Sequence, residues 1–179
     1  MLKIKDCILV VVDVQERLTD VMQNKTDFLR NLTHFIKGAH VLGLPILWTE
    51  QAPEKIGKTI FEVADLFSGR TPIKKVSFSC YACDEFVTAL KKLKRKQVLL
   101  AGIEAHVCVY QTAQDLTGAG FEVQVVADAV SSRTLRNRDL GFERIKACGA
   151  SLTSVETALC ELLREAKGEK FKQILNLIK

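Results

Sequence analysis

Cys108 stands where an apolar, strand-like segment ends and a helix-like segment begins. The segment Leu99–Ile103 is apolar and contains Gly102 close to its end. A thiol near a helix N-terminus meets the positive end of the helix dipole and free backbone N–H groups, which lower its pKa and bind an oxyanion. The pattern predicts a nucleophilic thiolate at Cys108, although a free cysteine taken alone is more often a small buried packing residue.

Two charged residues stand at the boundaries of other strand-like segments. Asp13 directly follows the apolar, β-branched run Cys7–Val12, and Lys75 lies in the short strand-like run 72–79. A carboxylate can accept a thiol proton, and an ammonium can hold that carboxylate in place and stabilise a thiolate. Asp13, Lys75 and Cys108 are therefore the predicted catalytic residues, acting as base, cation and nucleophile.

Strand-like runs alternate with helix-length segments along the chain, which indicates crossover connections and a parallel sheet. The predicted strands are Cys7–Val12, Pro45–Trp48, Ile73–Ser77, Gln97–Ala101, Glu122–Val126 and Ala150–Thr153. We expect one α/β domain over residues 1–179, with three αβα layers and a doubly wound, mostly parallel six-stranded sheet in the order 3-2-1-4-5-6. Strands one and four are neighbours in that order, so Asp13 and Cys108 meet at the switch point.

The frames around these three residues resemble those of the isochorismatase-like cysteine hydrolases. The frame VxDxQ contains Asp13, KxxFS contains Lys75, and GIEAxxC contains Cys108. Similarity to the small isochorismatase-domain-containing proteins continues in Thr49-Glu50-Gln51, in residues 128–133 and in residues 149–156. The resemblance covers nearly the whole chain and rests on the combination of frames.

The resemblance implies the same three roles for the aspartate, the lysine and the cysteine. It also implies a cis peptide bond between Ile103 and Glu104. The backbone N–H groups of Glu104 and Cys108 would then form the oxyanion hole.

Further candidates for the substrate pocket are Gln15, Leu18, Glu50, Gln51, Phe78, His106 and Tyr110. Glu50 and Gln51 stand at the mouth of the second strand and could orient an amide or hydroxyl of a substrate. A hydrogen-bond network that fixes a loop is the alternative role for both. His106 is two residues from Cys108 and points from another helix face, which disfavours a Cys-His dyad. It lines the pocket rim or lies at the surface.

Length and composition indicate a folded globular chain. With 179 residues, 47% hydrophobic and 26% charged, the disordered and fibrous classes are excluded. The net charge of +5 includes the cluster Lys91–Lys96, which fits a last helical turn, so no nucleic-acid partner is expected. No run is long enough to span a bilayer and no signal peptide is apparent. We therefore expect no membrane partner, and six reduced cysteines in a cytoplasmic protein.

These features predict a hydrolase that cleaves an amide or related C–N bond of a small-molecule substrate through a thioester-type intermediate. A protein-interaction or scaffold role with a vestigial triad is the alternative from another class, and a ribonuclease-like activity is a third possibility. We also expect a homo-oligomer, because the apolar positions in Val155–Leu163 and in Phe171–Ile178 exceed what one terminal layer needs. Helices that simply cap the monomer core would account for the same positions.

We predict no cofactor and no catalytic metal. Nicotinamidases of this superfamily carry an Asp-x-His frame with further histidines after the second strand, whereas Trp48–Pro53 reads WTEQAP and contains no histidine. A zinc or iron site there would lack its imidazole ligands. Elemental analysis of active, dialysed protein is expected to find no stoichiometric zinc, iron or manganese, and one such ion per chain would contradict the prediction.

Overall fold

The computed structural model describes all residues from Met1 to Lys179. The strands are β1 (Cys7–Val12), β2 (Ile46–Gln51), β3 (Ile73–Lys75), β4 (Gln97–Ile103), β5 (Glu122–Ser131) and β6 (Ser151–Thr153). The helices are α1 (Glu16–Thr19), α2 (Lys25–Leu42), α3 (Pro53–Ile56), α4 (Phe61–Ala64), α5 (Asp84–Lys92), α6 (Tyr110–Gly118), α7 (Leu135–Ala147), α8 (Val155–Leu163) and α9 (Gly168–Ile178). Short 3-10 turns lie at Asp65–Phe67 and Cys80–Ala82, and a π-helical turn at Ala105–Val109, here called the cysteine turn, precedes α6.

The sheet is parallel throughout, in the order β3-β2-β1-β4-β5-β6. One apolar cluster lies between the sheet and helices α2, α8 and α9, and a second lies between the opposite face and helices α5, α6 and α7. All six residues of β1 are buried, as a central parallel strand covered on both faces requires. The predicted αβα architecture and strand order are confirmed, and Asp13 and Cys108 follow adjacent strands.

Three strands extend beyond the predicted ends, and one stops short. β2 continues past Trp48 to Gln51 because its polar end pairs with β3, with Thr49 opposite Ile73 and Gln51 opposite Lys75. β4 and β5 are also longer than predicted, and their register shifts between Leu100 and Gly102. β3 ends at Lys75. The extension of β2 is polar but buried, and its residues Thr49, Glu50 and Gln51 belong to the candidate site.

The terminal helices α8 and α9 pack onto α2 within the chain. Leu159, Leu162 and Ile174 belong to the same buried cluster as Phe35 of α2. Most of the apolar side chains of these helices therefore cover the monomer core, which was the alternative explanation of these positions, while Phe171 and Leu175 stay partly exposed. The exposed large apolar side chains lie elsewhere: Met1, Val21, Phe61, Val76, Phe78, Leu135 and Leu140. None of the helices has the length and apolar character needed to cross a bilayer.

Gly102 lets β4 approach β1 directly beside the candidate site. Its φ is +115°, and an added Cβ would lie 2.2 Å from the carbonyl oxygen of Val12 and 2.6 Å from its nitrogen. Val12 pairs with Gly102 and immediately precedes Asp13. Only glycine satisfies both the positive φ and the close backbone contact.

Replacing Gly102 with alanine should therefore destabilise the protein by at least about 2 kcal/mol, because the strands must separate and the backbone is strained. Gly118→Ala is the matched control, since a Cβ at Gly118 in α6 would contact nothing within 4 Å. That variant should change the unfolding free energy by less than about 1 kcal/mol. Urea unfolding measures both, and equal stabilities for the two variants would contradict the role assigned to Gly102.

Candidate active site

Asp13 places a buried carboxylate at the end of β1. The residue has no exposed surface, and its backbone adopts a left-handed conformation with φ of +51°. Its Oδ2 atom lies 2.6 Å from Nζ of Lys75, and its Oδ1 atom accepts a hydrogen bond of 2.7 Å from the Thr49 hydroxyl. Both carboxylate oxygens are therefore held by donors from the two neighbouring strands on one side, β2 and β3.

Lys75 is fully bonded at the end of β3. Its ammonium donates to Asp13, to Oε1 of Gln51 at 2.9 Å and to the carbonyls of Ser77 and Phe78 at 3.1 and 3.2 Å. Burial is the largest single influence and would lower the pKa of Lys75, but the charge and hydrogen bond of Asp13, together with smaller contributions from Cys80 and Cys108, hold that pKa above its ordinary value. The lysine is therefore a fixed cation in the site.

Cys108 lies in the cysteine turn and is 6% exposed. Burial raises the pKa of its thiol well above the ordinary value. Asp13 raises it further, both as a negative charge and as a hydrogen-bond acceptor, and Lys75 opposes this only in part. Burial and the carboxylate therefore act against the predicted thiolate, and in the resting site they outweigh the charge of Lys75 and favour the neutral thiol.

The three predicted residues are thus brought together in one buried cluster. A neutral thiol beside a paired carboxylate can lose its proton to that carboxylate when an electrophile is attacked. The lysine then stabilises whichever of the two groups carries the negative charge. This arrangement favours proton transfer during attack over a preformed thiolate.

The peptide bond between Ile103 and Glu104 is cis, which confirms the expectation from the resemblance. The Glu104 carbonyl accepts hydrogen bonds from the N–H groups of Val107 and Val109 in the cysteine turn. The Glu104 N–H has no hydrogen-bond partner within the chain, so it is available to another acceptor. Whether it forms an oxyanion hole with the Cys108 N–H stays a prediction.

Arg133 fixes the Glu104 side chain and was given no role by the sequence analysis. The arginine donates three hydrogen bonds to the carboxylate, from its backbone N–H, Nε and Nη2, at 3.0, 3.2 and 2.7 Å. Burial would raise the pKa of Glu104, but these bonds and the arginine charge lower it below the ordinary value. The ion pair ties the end of β5 to the start of the cysteine turn. In the sequence, the only sign of Arg133 was the similarity to the family over residues 128–133.

Three of the predicted pocket residues fix a loop. Gln15 donates to the carbonyls of Gln51 and Gly57 and accepts from the Gln51 N–H. Oε1 of Glu50 accepts from both the N–H and the hydroxyl of Thr59, at 2.7 and 2.8 Å. The Gln51 amide joins Lys75 to the Val76 carbonyl. The structure therefore places Glu50 and Gln51 in the hydrogen-bond network that was their alternative role, and Gln15, predicted only as a pocket residue, belongs to the same network.

The remaining pocket candidates are spread around the site. Phe78 is 54% exposed, and its carbonyl contacts Lys75. His106 is half-buried, with Nδ1 3.1 Å from Oγ of Ser132, and Tyr110 lies under the guanidinium of Arg144 on α7. Leu18 packs against the α2-side apolar cluster. Phe78 is hydrogen-bonded to Lys75 through its backbone carbonyl, and a substrate contact for any of the four stays a prediction.

The largest cavity of the chain is separate from Cys108. It has a volume of about 730 Å³ and is lined by Glu50, Pro53, Glu54, Lys58, Thr71, Pro72, Lys74 and Glu85. A neighbouring cavity of about 290 Å³ reaches Lys75. Volume alone therefore does not identify the substrate site, because Asp13 and Cys108 line neither of these cavities and Lys75 lines only the smaller one.

Two further contacts shape the site and were missed from the sequence. Gly141 of α7 lies so close to the cysteine turn that an added Cβ would be 2.6 Å from the Ala105 carbonyl carbon. Cys80 is fully buried, with its sulfur 3.7 Å from Oγ1 of Thr49. No sequence signal indicates this contact. No group of three or more His, Cys, Asp or Glu side chains is arranged to hold a metal ion.

The family model for the isochorismatase domain matches residues 7–157, which is most of the chain. The chain therefore belongs to the isochorismatase family and has its hydrolase fold. It is 38% identical over 168 residues to isochorismatase domain-containing protein 1 of Danio rerio, an alignment that covers 93% of this chain. The chain spans 59% of the length of that relative.

Two solved structures show the same fold over nearly the whole chain. The MAR1 ribonuclease from Caenorhabditis elegans is 34% identical, with a TM-score of 0.91, and the match covers 99% of this chain and 91% of that chain. The YcaC gene product from Escherichia coli, described as an octameric hydrolase of unknown specificity, is 25% identical with a TM-score of 0.93. That match covers 99% of this chain and 88% of the other.

Alkylation of Cys108 by iodoacetamide tests the protonated resting thiol. We expect Cys108 to react more slowly than the exposed Cys160 of the same chain, with a rate that rises without a plateau between about pH 7 and about pH 10. Asp13→Asn removes the carboxylate charge and leaves Lys75, so Cys108 should react at least about tenfold faster relative to Cys160.

Mass spectrometry of the labelled peptides gives both rates from one sample, with Cys160 as the internal reference. A wild-type Cys108 that outpaces Cys160 at neutral pH would contradict this description of the site. An unchanged rate ratio in Asp13→Asn would do the same.

Proposed function

We propose that the protein is a cysteine hydrolase that cleaves an amide or related C–N bond of a small molecule. Cys108 is the nucleophile, Asp13 the base and Lys75 the cation of the site. The observation that carries the proposal is the fully buried ion pair between Asp13 and Lys75 beside the Cys108 thiol. Burying two charges costs free energy, so a buried ion pair often marks a functional site. Here the carboxylate and the ammonium are the groups that thiol chemistry needs.

Acylation begins when the Cys108 sulfur attacks the substrate carbonyl carbon and its proton passes to Asp13. The new C–S bond produces an oxyanion, which we assign to the backbone N–H groups of Glu104 and Cys108. Collapse of this intermediate breaks the C–N bond, and Asp13 returns the proton to the leaving amine. The products of the first half-reaction are the free amine and a thioester on Cys108.

Water completes the reaction. It attacks the thioester carbonyl and gives a proton to Asp13, and the C–S bond then breaks to release the carboxylic acid. The sulfur takes the proton back and the resting thiol is restored. Lys75 stays paired with Asp13 through both halves and favours its return to the ionised state.

The octameric state described for YcaC supports a homo-oligomeric assembly for this chain as well. The exposed apolar side chains of Val76 and Phe78, which follow Lys75, are the surface that we assign to such an assembly. Six cysteines without a disulfide fit a reducing compartment such as the cytoplasm. The substrate contacts of Gln15, Leu18, Glu50, Gln51, Phe78, His106 and Tyr110 belong to the same proposal.

Ribonuclease activity is the second candidate, because the similar structure from Caenorhabditis elegans is described as a MAR1 ribonuclease. RNA cleavage needs acid and base groups around a phosphate and cations that bind the backbone. The one cation of the cluster, Lys75, already donates to four acceptors. The chemistry of the cluster therefore favours acyl transfer.

The test is a panel of small amides and ureas, read as amine release and as a covalent acyl adduct by intact mass. Cys108→Ala should lower turnover at least about a thousandfold because it removes the nucleophile. Asp13→Asn and Lys75→Ala should each lose about a hundredfold or more. Cys160→Ala, on the exposed face of α8, is the matched control and should keep wild-type turnover.

Undiminished turnover in Cys108→Ala would refute the assignment of the nucleophile. Wild-type protein that forms no adduct and hydrolyses nothing in the panel, but cleaves RNA equally well with and without Cys108, would favour the ribonuclease.

A further inference from the structure

Thr49 and Cys80 form a buried hydrogen-bonded pair behind the Asp13 carboxylate. The Thr49 hydroxyl donates its one proton to Oδ1 of Asp13 at 2.7 Å. The sulfur of Cys80 lies 3.7 Å from the same hydroxyl oxygen. The hydroxyl proton is directed at Asp13, which leaves the hydroxyl oxygen free to accept, and we assign the Cys80 S–H as the donor of this contact. The carboxylate and the thiol then hold the hydroxyl from two sides.

Cys80 is itself anchored to the helix that follows Cys108. Its backbone N–H donates to Oγ1 of Thr112 at 2.9 Å, and Thr112 lies one helical turn beyond Cys108 in α6. Burial, followed by the Asp13 charge, raises the pKa of the Cys80 thiol to about 11, so it stays a neutral donor. The pair thus connects the carboxylate to the helix that follows the nucleophile.

We propose that Thr49, oriented by Cys80, determines where the proton shared by Asp13 and Cys108 lies, and holds it on the sulfur in the resting site. This inference rests on the proposed role of Asp13 as base. A hydrogen bond donated to a carboxylate stabilises its ionised form and makes it a weaker proton acceptor. Both residues are positioning residues, because they act on the thiol only through Asp13.

The other ionisable groups around the carboxylate are accounted for. Lys75 donates to Oδ2 and favours the ionised carboxylate whatever stands at position 49. Burial and the Asp13 charge raise the pKa values of both Cys80 and Cys108, which favours the neutral thiols. Thr49 is therefore the neutral hydrogen-bond donor whose removal shifts the proton between Asp13 and Cys108 without removing a charge from the site.

The test is the rate of Cys108 alkylation by iodoacetamide near neutral pH, with the exposed Cys160 as internal reference. Thr49→Val keeps the side-chain shape but cannot donate, so the proton moves towards Asp13 and the thiolate is populated more often. Alkylation should become about tenfold faster, the lower end of the effect of a hydrogen bond to a charged group. Thr49→Ser keeps the donor and should react within about twofold of wild type.

Two double variants separate proton placement from altered access to the sulfur. In an Asp13→Asn background, Thr49→Val should have no further effect, because there is no carboxylate to act through. Cys80→Ala should accelerate alkylation by a smaller factor, and not at all when Thr49→Val is already present. Cys7→Ala, which removes a buried thiol at the opposite end of β1, is the matched control and should match wild type.

Alkylation that is unchanged or slower in Thr49→Val would overturn the inference. So would an acceleration that persists in the Asp13→Asn background, since that would reflect access alone. If Thr49→Val does not fold, Cys80→Ala against Cys7→Ala decides the question by the same criterion. None of these measurements needs a substrate, so they succeed or fail independently of whether amides are hydrolysed.

Discussion

The buried ion pair between Asp13 and Lys75 is the interaction on which the rest of the site depends. Neither side chain has exposed surface, so both charges have lost their hydration, and their mutual attraction alone does not recover that cost. The remaining polar atoms are therefore satisfied by neighbours: Thr49 on the carboxylate, and Gln51 with two backbone carbonyls on the ammonium. Such an ion pair contributes little to the free energy of unfolding. It does hold two opposite charges at fixed positions beside the Cys108 thiol.

The fold delivers these groups through backbone contacts more than through side-chain packing. Asp13 follows the central strand, Lys75 ends the edge strand, and Cys108 follows the strand on the other side. Gly102 lets the two central strands meet at the site, and Gly141 lets α7 rest on the cysteine turn. Arg133 holds Glu104 at the junction between them. Each of these contacts restricts the motion of one part of the cluster. The reacting groups are thereby kept within reach of one another.

The sequence predicts the architecture and the proximity of Asp13, Lys75 and Cys108 well, for a physical reason. Apolar runs alternating with helices leave few topologies, and the parallel order places Asp13 and Cys108 on adjacent strand ends. Protonation of Cys108 could not be predicted, because it depends on the sum of burial and of charges from distant segments. Nor could the links from Thr49 to Cys80 or from Glu104 to Arg133, which join residues far apart in the chain. Gln15, Glu50 and Gln51 were predicted as pocket residues, and the hydrogen bonds of their side chains are made within the protein.

The central claim is that Cys108 rests as a neutral thiol beside a paired, ionised Asp13. The most direct measurement is the infrared S–H stretching band of Cys108, isolated as the difference between wild-type protein and Cys108→Ala at neutral pH. The account predicts an S–H band that is present in the wild type and missing from the variant. Identical S–H regions in the two spectra would mean that the sulfur is already a thiolate at rest, which would contradict the account.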